Sequence, residues 1–371
     1  MNILINASEI KQGGGMQVTD SLCRTLCDYP QHTFIVVISS YFKNHLDYLL
    51  KYNNVVLYCY DINKFNVITL LTGREHYLDS IVESQKIEVV INVFGPTLWV
   101  AKCKKITGFA RAHLIMPESP YYTRMSVWGR VKEKVFNRIL YYYFNRSTDV
   151  FFTENPMITT RVEKLFKKSS VTITNYYNQV FDNKELCKQY ILPQYNGTTL
   201  LTISSYYPHK NLEIAVDILK FLDRINSNEK LRFVFSIKEE EYIAIPEKYK
   251  NNFLFLGKVD ISECPSLYEQ SDIVFQPTLL ECFTATYPEA MKMLKPIVTT
   301  DLNFARGLCS KAALYYDPLN AEDAALTIIK LIKNKELYSE LVISGKEQLK
   351  EYDNYAVRSK KLISLCESLV K

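Results

Sequence analysis

The chain has 371 residues, 47% hydrophobic and 23% charged, with a formal net charge of +5. That composition excludes a disordered protein and allows two domains of ordinary size, and the charge is too small to argue for a nucleic-acid partner. Nine cysteines without metal-ligand spacing fit a reducing compartment, and the absence of an apolar run near the ~20 residues of a membrane span, with no basic start to "MNILINAS", predicts a cytoplasmic chain or one lying on a membrane surface.

In chain order, the first apolar run is "NILIN" (2–6), and it leads into "NASEIKQGGGMQVTDSLCRTL". Only 11 glycines occur in the chain, and three of them are Gly13, Gly14 and Gly15. They precede a helical pattern of Val18, Leu22 and Leu26. A turn without side chains lets backbone come close to a ligand, and a helix start offers free N–H groups to an anion. The alternative is a plain tight turn. Cys23 and Cys27, one helical turn apart, read as helix packing rather than as a metal pair. Further runs follow at "TFIVVIS" (33–39), "VVLYCYD" (55–61), "EVVINVF" (88–94), "KITGFA" (105–110), "DVFFT" (149–153) and "VTITN" (171–175). Val/Ile/Phe runs of this length suit parallel strands covered on both faces, and the helical patterns between them predict a βαβ series in a doubly wound sheet.

Between two of these runs lies "YYTRMSVWGRVKEKVFNRILYYYFNR" (121–146), the most basic and aromatic segment. Trp128, Val131, Val135 and Ile139 fall near one helical face, with Arg124, Arg130, Lys132, Lys134 and Arg138 around it. A basic amphipathic helix of this kind suits an anionic membrane surface. The alternative is an ordinary helix that packs its apolar face into the core.

The series pauses at 183–197, where a polar stretch with Pro193 and Gly197 reads as a linker. This predicts one Rossmann-like domain over 1–185 and a second over 186–371, two α/β halves facing a cleft. The second series runs through "TTLLTIS" (198–204), "LRFVFSI" (231–237), "NFLFLG" (252–257), "DIVFQP" (272–277), "PIVTT" (296–300) and "AALYY" (312–316). After its first strand, "YYPHKNL" places Lys210 at the strand's carboxyl end, just before a helix expected near Asn211. Ligands of open α/β sheets bind at that edge, and a lysine there can neutralise a phosphate. The alternative is one more solvated surface lysine. Farther on, "LLECFTATYPEAM" (279–291) holds Glu281 and Glu289 eight positions apart. Thr284, Thr286 and Pro288 argue against one continuous helix, so Glu281 is expected in a loop and Glu289 in a helix's first turn. The closing stretch "YAVRSKKLISLCESLVK" is helical and amphipathic, long enough to cross back to the first domain.

Taken together, "GGG" (13–15), "YPHKNL" (207–212), "FLG" (255–257) and "ECFTATYPEAM" (281–291), followed by "KPIVTTD" and "ALYYDPLN", resemble the retaining glycosyltransferases of family four, which have the GT-B fold. The resemblance implies a nucleotide-sugar donor held by the second domain and an acceptor held by the first. It places Lys210 on the donor diphosphate, Glu289 on the ribose hydroxyls, and Glu281 with the backbone of Phe283, Thr284 and Ala285 on the transferred sugar. Gly14 and Gly15 would approach the diphosphate or sugar, and His113, in "GFARAHLIMPESP", resembles the family's first-domain histidine. Three departures stand out. Cys282 and Thr284 replace the glycines of the common Glu-Gly-Phe-Gly, Ser205 stands where an arginine is common, and Leu114 follows His113 in place of an aspartate. No Asp-x-Asp occurs, which agrees with a metal-independent site taking a nucleotide-diphosphate sugar as substrate and no cofactor. A lipid-linked acceptor would suit members that build bacterial surface polysaccharide such as O-antigen or capsule. A nucleotide-sugar 2-epimerase and a non-catalytic partner subunit of the same fold are the alternatives.

Overall fold

The structure, a computed structural model, describes every residue except 12, 43, 44, 63–66 and 371. Among these residues two wholly parallel sheets form. The first contains β1 (Asn2–Ala7), β2 (Thr33–Ile38), β3 (Val55–Cys59), β4 (Val89–Asn92), β5 (Lys104–Gly108), β6 (Val150–Thr153) and β7 (Ser170–Thr172), in the order β3-β2-β1-β4-β5-β6-β7. The second contains β8 (Thr198–Thr202), β9 (Leu231–Phe235), β10 (Phe253–Phe255), β11 (Ile273–Gln276), β12 (Ile297–Thr300) and β13 (Ala313–Tyr316), in the order β10-β9-β8-β11-β12-β13. Each predicted apolar run is one of these strands. Two doubly wound Rossmann-like sheets in one chain are the GT-B arrangement.

Both faces of the first sheet are covered, as unbroken apolar strands require. Ile3 and Ile5 of β1, with Phe34 and Val36 of β2, join one core. Leu4, Ile35 and Val37, pointing the other way, join a second. In the second sheet, Leu200, Phe233 and Phe275 pack against Ile214, Ile218 and Leu222 of the helix Ile214–Arg224.

The chain divides into two compact units, one of Met1–Pro117, Met125–Asn175 and Asp353–Lys371, the other of Glu118–Arg124 and Tyr176–Tyr352. The expected boundary at 185/186 therefore moves to 175/176, and neither unit is a single stretch of sequence. The reason lies in residues before 183: Asp182 pairs with Lys292, whose ammonium lies over the Tyr177 ring, and the Phe181 ring stands edge-on to Tyr268 at 5.9 Å. The stretch 183–197 is no free linker: Lys188 N donates to the Ser262 carbonyl at 2.8 Å and Leu192 N to Gln270 Oε1 at 2.9 Å. The closing helix Tyr355–Val370 adds Leu362, Ile363 and Cys366 to the core of the first unit. The basic segment is also divided. Residues 120–124 form a short 3₁₀ turn belonging to the second unit, and the long helix, Val127–Ser147, starts after a Ser126 cap in the first.

Candidate active site

Strand order fixes where the second unit can hold a ligand. From β8 the chain proceeds outward to β9 and β10, then returns to place β11 on the other side of β8. The loops after β8 and β11 consequently part, and an open α/β sheet offers its binding crevice at such a switch point. Lys210 lies in the loop after β8, Glu281 in the loop after β11, and the two side chains meet as an ion pair between Nζ and Oε1. Both are largely buried, 15% and 12% exposed, so the pair is partly shielded from solvent screening. Thr278 Oγ1 donates to the same Glu281 oxygen at 3.0 Å, and Leu279 N donates to the His209 carbonyl at 2.8 Å, which ties the loops together.

Lys210 precedes the following helix, as expected, but that helix begins at Ile214 rather than near Asn211. The lysine ends a separate 3₁₀ turn, Pro208–Lys210, and Asn211 then takes a left-handed conformation (φ 52°). Asparagine tolerates that conformation better than most residues. Ser205 is exposed, and its neighbour Ser204 is the residue bonded across to Ser236.

Glu289 does sit in the first turn of a helix, Thr286–Lys292, with Pro288 beside it. It is 3% exposed and accepts from Tyr268 OH at 2.8 Å. Burial pushes its carboxyl up to about 7, against the opposing pull of the Tyr268 hydroxyl. The folded state thus holds that proton more tightly than the unfolded chain, whose value is near 4.5. The contribution of Glu289 to stability accordingly falls as pH rises across that interval. Between the two glutamates, the amides of Phe283, Thr284 and Ala285 donate to no acceptor among the described residues. The Cys282 and Thr284 side chains, where glycines are common, are both buried, and Thr284 Oγ1 turns onto Thr286 Oγ1 at 3.3 Å.

Ser205, Lys210, Glu281, Phe283, Thr284, Ala285 and Glu289 thus share the second unit, whereas Gly14, Gly15 and His113 belong to the first. Gly13 caps the helix Gly14–Cys23 with φ 71°, and an added Cβ on Gly13 or Gly14 would meet nothing within 4 Å. The loop is therefore open on that side. Gly15 is not: its Cβ would stand 3.0 Å from Ile10 Cγ2. His113, half-buried on the short helix Ala112–Ile115, has its carbonyl bound by Asn137 Nδ2 at 3.0 Å.

Three groups escaped the sequence reading. Tyr268 is buried and reads as core by its spacing. Arg124, 87 positions from Asn211, donates to its Oδ1 and so brings a second cation beside the Lys210 loop. Tyr121 reaches the same loop, its ring edge-on to His209 at 6.0 Å. No local signal marks such long-range contacts. A cavity of about 450 Å³ lies elsewhere in this unit, lined by Lys238, Phe253, Phe255 and Gly257 among others and by none of the site residues. Among the described residues no cluster of three or more His, Cys, Asp or Glu could hold a metal ion.

Residues 183–348, which contain this whole second-unit site from Ser205 to Glu289, match the model of the glycosyl transferases group 1 family. They form a group 1 glycosyltransferase domain. A curated relative, mannosylfructose-phosphate synthase of Agrobacterium fabrum, is 23% identical over 256 residues, 64% of this chain and 56% of the relative. The match thus spans little more than half of that protein's length. The group 1 domain and its companion unit together superpose on sucrose-phosphate synthase from Thermosynechococcus elongatus with a TM-score of 0.72, at 12% identity over 99% of this chain and 98% of the other. On Anabaena HepE in complex with UDP and glucose the TM-score is 0.71, at 14% identity over 100% of both chains. At such identities the superpositions establish the fold.

Proposed function

We propose that the chain is a retaining, metal-independent glycosyltransferase that moves a hexose-type sugar from a nucleotide-diphosphate sugar to a hydroxyl of a glycan or lipid-linked acceptor, in the assembly of a bacterial surface polysaccharide. The observation that carries this reading is the meeting of Lys210 and Glu281 at the switch point of the group 1 domain, with buried Glu289 and three free amides following in the same segment. In this reading the second unit holds the donor. Breaking the bond to the diphosphate places growing negative charge on the leaving group, and Lys210 with the amides of Phe283, Thr284 and Ala285 would stabilise it. Arg124, held on Asn211, would supply cationic character that Ser205 lacks. Glu281 would support positive charge on the sugar ring. Its Oε1 is engaged by both Lys210 and Thr278, which favours a positioning role over that of a nucleophile. The acceptor's proton would then pass to the departing diphosphate oxygen on the same face. The first unit would receive the acceptor, with Gly14, Gly15 and His113 in the roles the resemblance implies, and the protein would act in the cytoplasm or at the inner face of the membrane.

Two relatives are named as synthases of a sugar phosphate, which favours a phosphorylated sugar as a second acceptor class. A donor screen tests the common part of both readings. UDP-sugars, headed by UDP-glucose, and GDP- and dTDP-sugars should include one that raises the unfolding temperature. Saturation at 100 times the dissociation constant adds about 2.7 kcal/mol. If none does, the reading fails.

Glu289 gives a sharper test. Hydroxyls of a ribose would donate to a carboxylate, so the ionised form should bind donor better. Affinity for that nucleotide sugar should rise with pH through about 7 and level off only above it. Glu289→Gln keeps an acceptor for Tyr268 but no charge. It should weaken donor binding roughly 10- to 100-fold at alkaline pH while leaving the unfolding temperature equal or higher. Calorimetric titration and thermal unfolding across this pH range read both effects, and unchanged donor affinity would remove Glu289 from the site.

A further inference from the structure

The helix Val127–Ser147 is built inside out. Trp128, Val131, Val135, Ile139 and Tyr142, spaced three and four apart, form one stripe, and they are 77%, 46%, 55%, 47% and 56% exposed. Its inward side instead carries polar residues. Glu133 pairs with Arg111 at 3.6 Å, Asn137 bonds the His113 carbonyl, and only Phe144 on that side is a fully buried aromatic, packed with Phe109, Phe151 and Phe166. The apolar stripe therefore does not serve the core, as the alternative reading of this segment expected.

A second helix extends the surface. Val67, Ile68 and Leu71 of the helix Val67–Thr72 are each more than 60% exposed. Its end is fastened to the long helix: Tyr143 OH donates to the Leu70 carbonyl at 3.3 Å, and Arg146 Nη1 donates to the Leu71 carbonyl at 3.2 Å while its guanidinium lies over the Tyr142 ring. Gly73, with φ 73°, makes this close passage, since a Cβ there would stand 2.5 Å from Arg146 Nη2. Exposed Leu71 and exposed Tyr142 thus adjoin.

The exposed charge of the long helix is of one sign. Arg130, Lys132, Lys134 and Arg138 are exposed on the long helix and form no ion pair among the described residues, whereas its one acid, Glu133, is turned inward. A partner must be apolar at the stripe and anionic around it. A second copy of this chain would set like charges against each other. We infer that the exposed faces of the helices Val67–Thr72 and Val127–Ser147 form one docking surface for an anionic lipid bilayer, on which the long helix lies flat with its apolar stripe in the headgroup region. This surface is independent of the donor assignment.

The test uses the full chain and sedimenting vesicles of phosphatidylcholine alone or mixed with phosphatidylglycerol. The mixed vesicles should bind at least about tenfold more tightly, and added salt should abolish most of that difference. Of the two tryptophans, Trp99 is 1% exposed, so a blue shift of emission on binding would report Trp128 entering the headgroup region. The variant Trp128→Ser/Val135→Ser/Ile139→Ser should lose binding about tenfold or more with an unchanged unfolding temperature and an unchanged donor-induced shift. Lys132→Gln/Lys134→Gln/Arg138→Gln should lose only the anionic preference. Equal binding to both vesicle types, absence of a blue shift, or a dimer in sedimentation velocity that the triple serine variant dissolves would each overturn the proposal.

Discussion

Lys210→Ala should lower the rate of sugar transfer by about 10²- to 10³-fold, mainly in kcat. The lysine is a cation placed by the strand order itself, at the switch point of the group 1 domain. An ammonium there acts on charge that grows as the bond to the diphosphate breaks, so its loss should reach the transition state more than the ground state. The ion pair with Glu281 supplies the control. Removing Lys210 leaves a carboxylate only 12% exposed without its cation, which costs stability as well as rate. Glu281→Ala removes the acid and keeps the ammonium, while the double variant removes both. If stability were the whole effect, the double variant would recover transfer along with its unfolding temperature. The expected result is recovered stability without recovered transfer. Steady-state kinetics for the three variants decide this, and a loss in Lys210→Ala below tenfold would take the lysine out of the chemistry.

The strands were legible in the sequence because parallel strands buried on both faces leave unbroken runs such as "TFIVVIS" and "LRFVFSI". The Glu281–Glu289 segment was legible because threonine and proline punctuate it, and the loop followed by a helix at Thr286 is what the structure contains. What stayed hidden depends on distance along the chain. Nothing near Lys210 announces Arg124 or Tyr121, and nothing near Glu289 marks Tyr268 as its partner rather than as core. The boundary at 185/186 missed contacts of the same kind, since Asp182 with Lys292 and Phe181 with Tyr268 hold 176–185 to the second unit. Polar composition at 183–197 reads as a linker, but hydrogen bonds to Ser262, Ser266 and Gln270 hold it against the second unit. The long helix shows the limit of periodicity: its spacing reveals an apolar stripe, and only packing tells whether that stripe faces the core or the solvent.

Arg358→Met should cost roughly 3–5 kcal/mol at alkaline pH, a fall of roughly 10 °C in unfolding temperature, with the cost shrinking as pH drops. Arg358 lies on the closing helix, 6% exposed, and donates to Asn175 Oδ1 and, at 3.4 Å, to the Val18 carbonyl. Glu154, just beyond β6, faces the same small cavity among Val18, Phe152 and Leu362. Burial pushes the Glu154 carboxyl up to about 7, and the Arg358 charge is what opposes that rise. Without the guanidinium, the carboxyl must either stay protonated or lie buried as an unpaired charge. Below the shifted value, Glu154 holds its proton in both proteins, and the variant loses only hydrogen bonds and packing. Above it, the native protein ionises beside its arginine and the variant cannot do so without penalty, so the difference in stability widens as pH rises through about 7. Glu154→Gln/Arg358→Met should remove most of the pH dependence that Glu154 contributes, because no buried charge remains at that cavity to be matched. Thermal unfolding of the three proteins at about pH 5.5 and about pH 8.5 gives the comparison. A deficit of equal size at both pH values would mean that Arg358 holds the closing helix by shape and hydrogen bonds alone, and that the charge of Glu154 has no part in fastening residues 353–370 to the first unit.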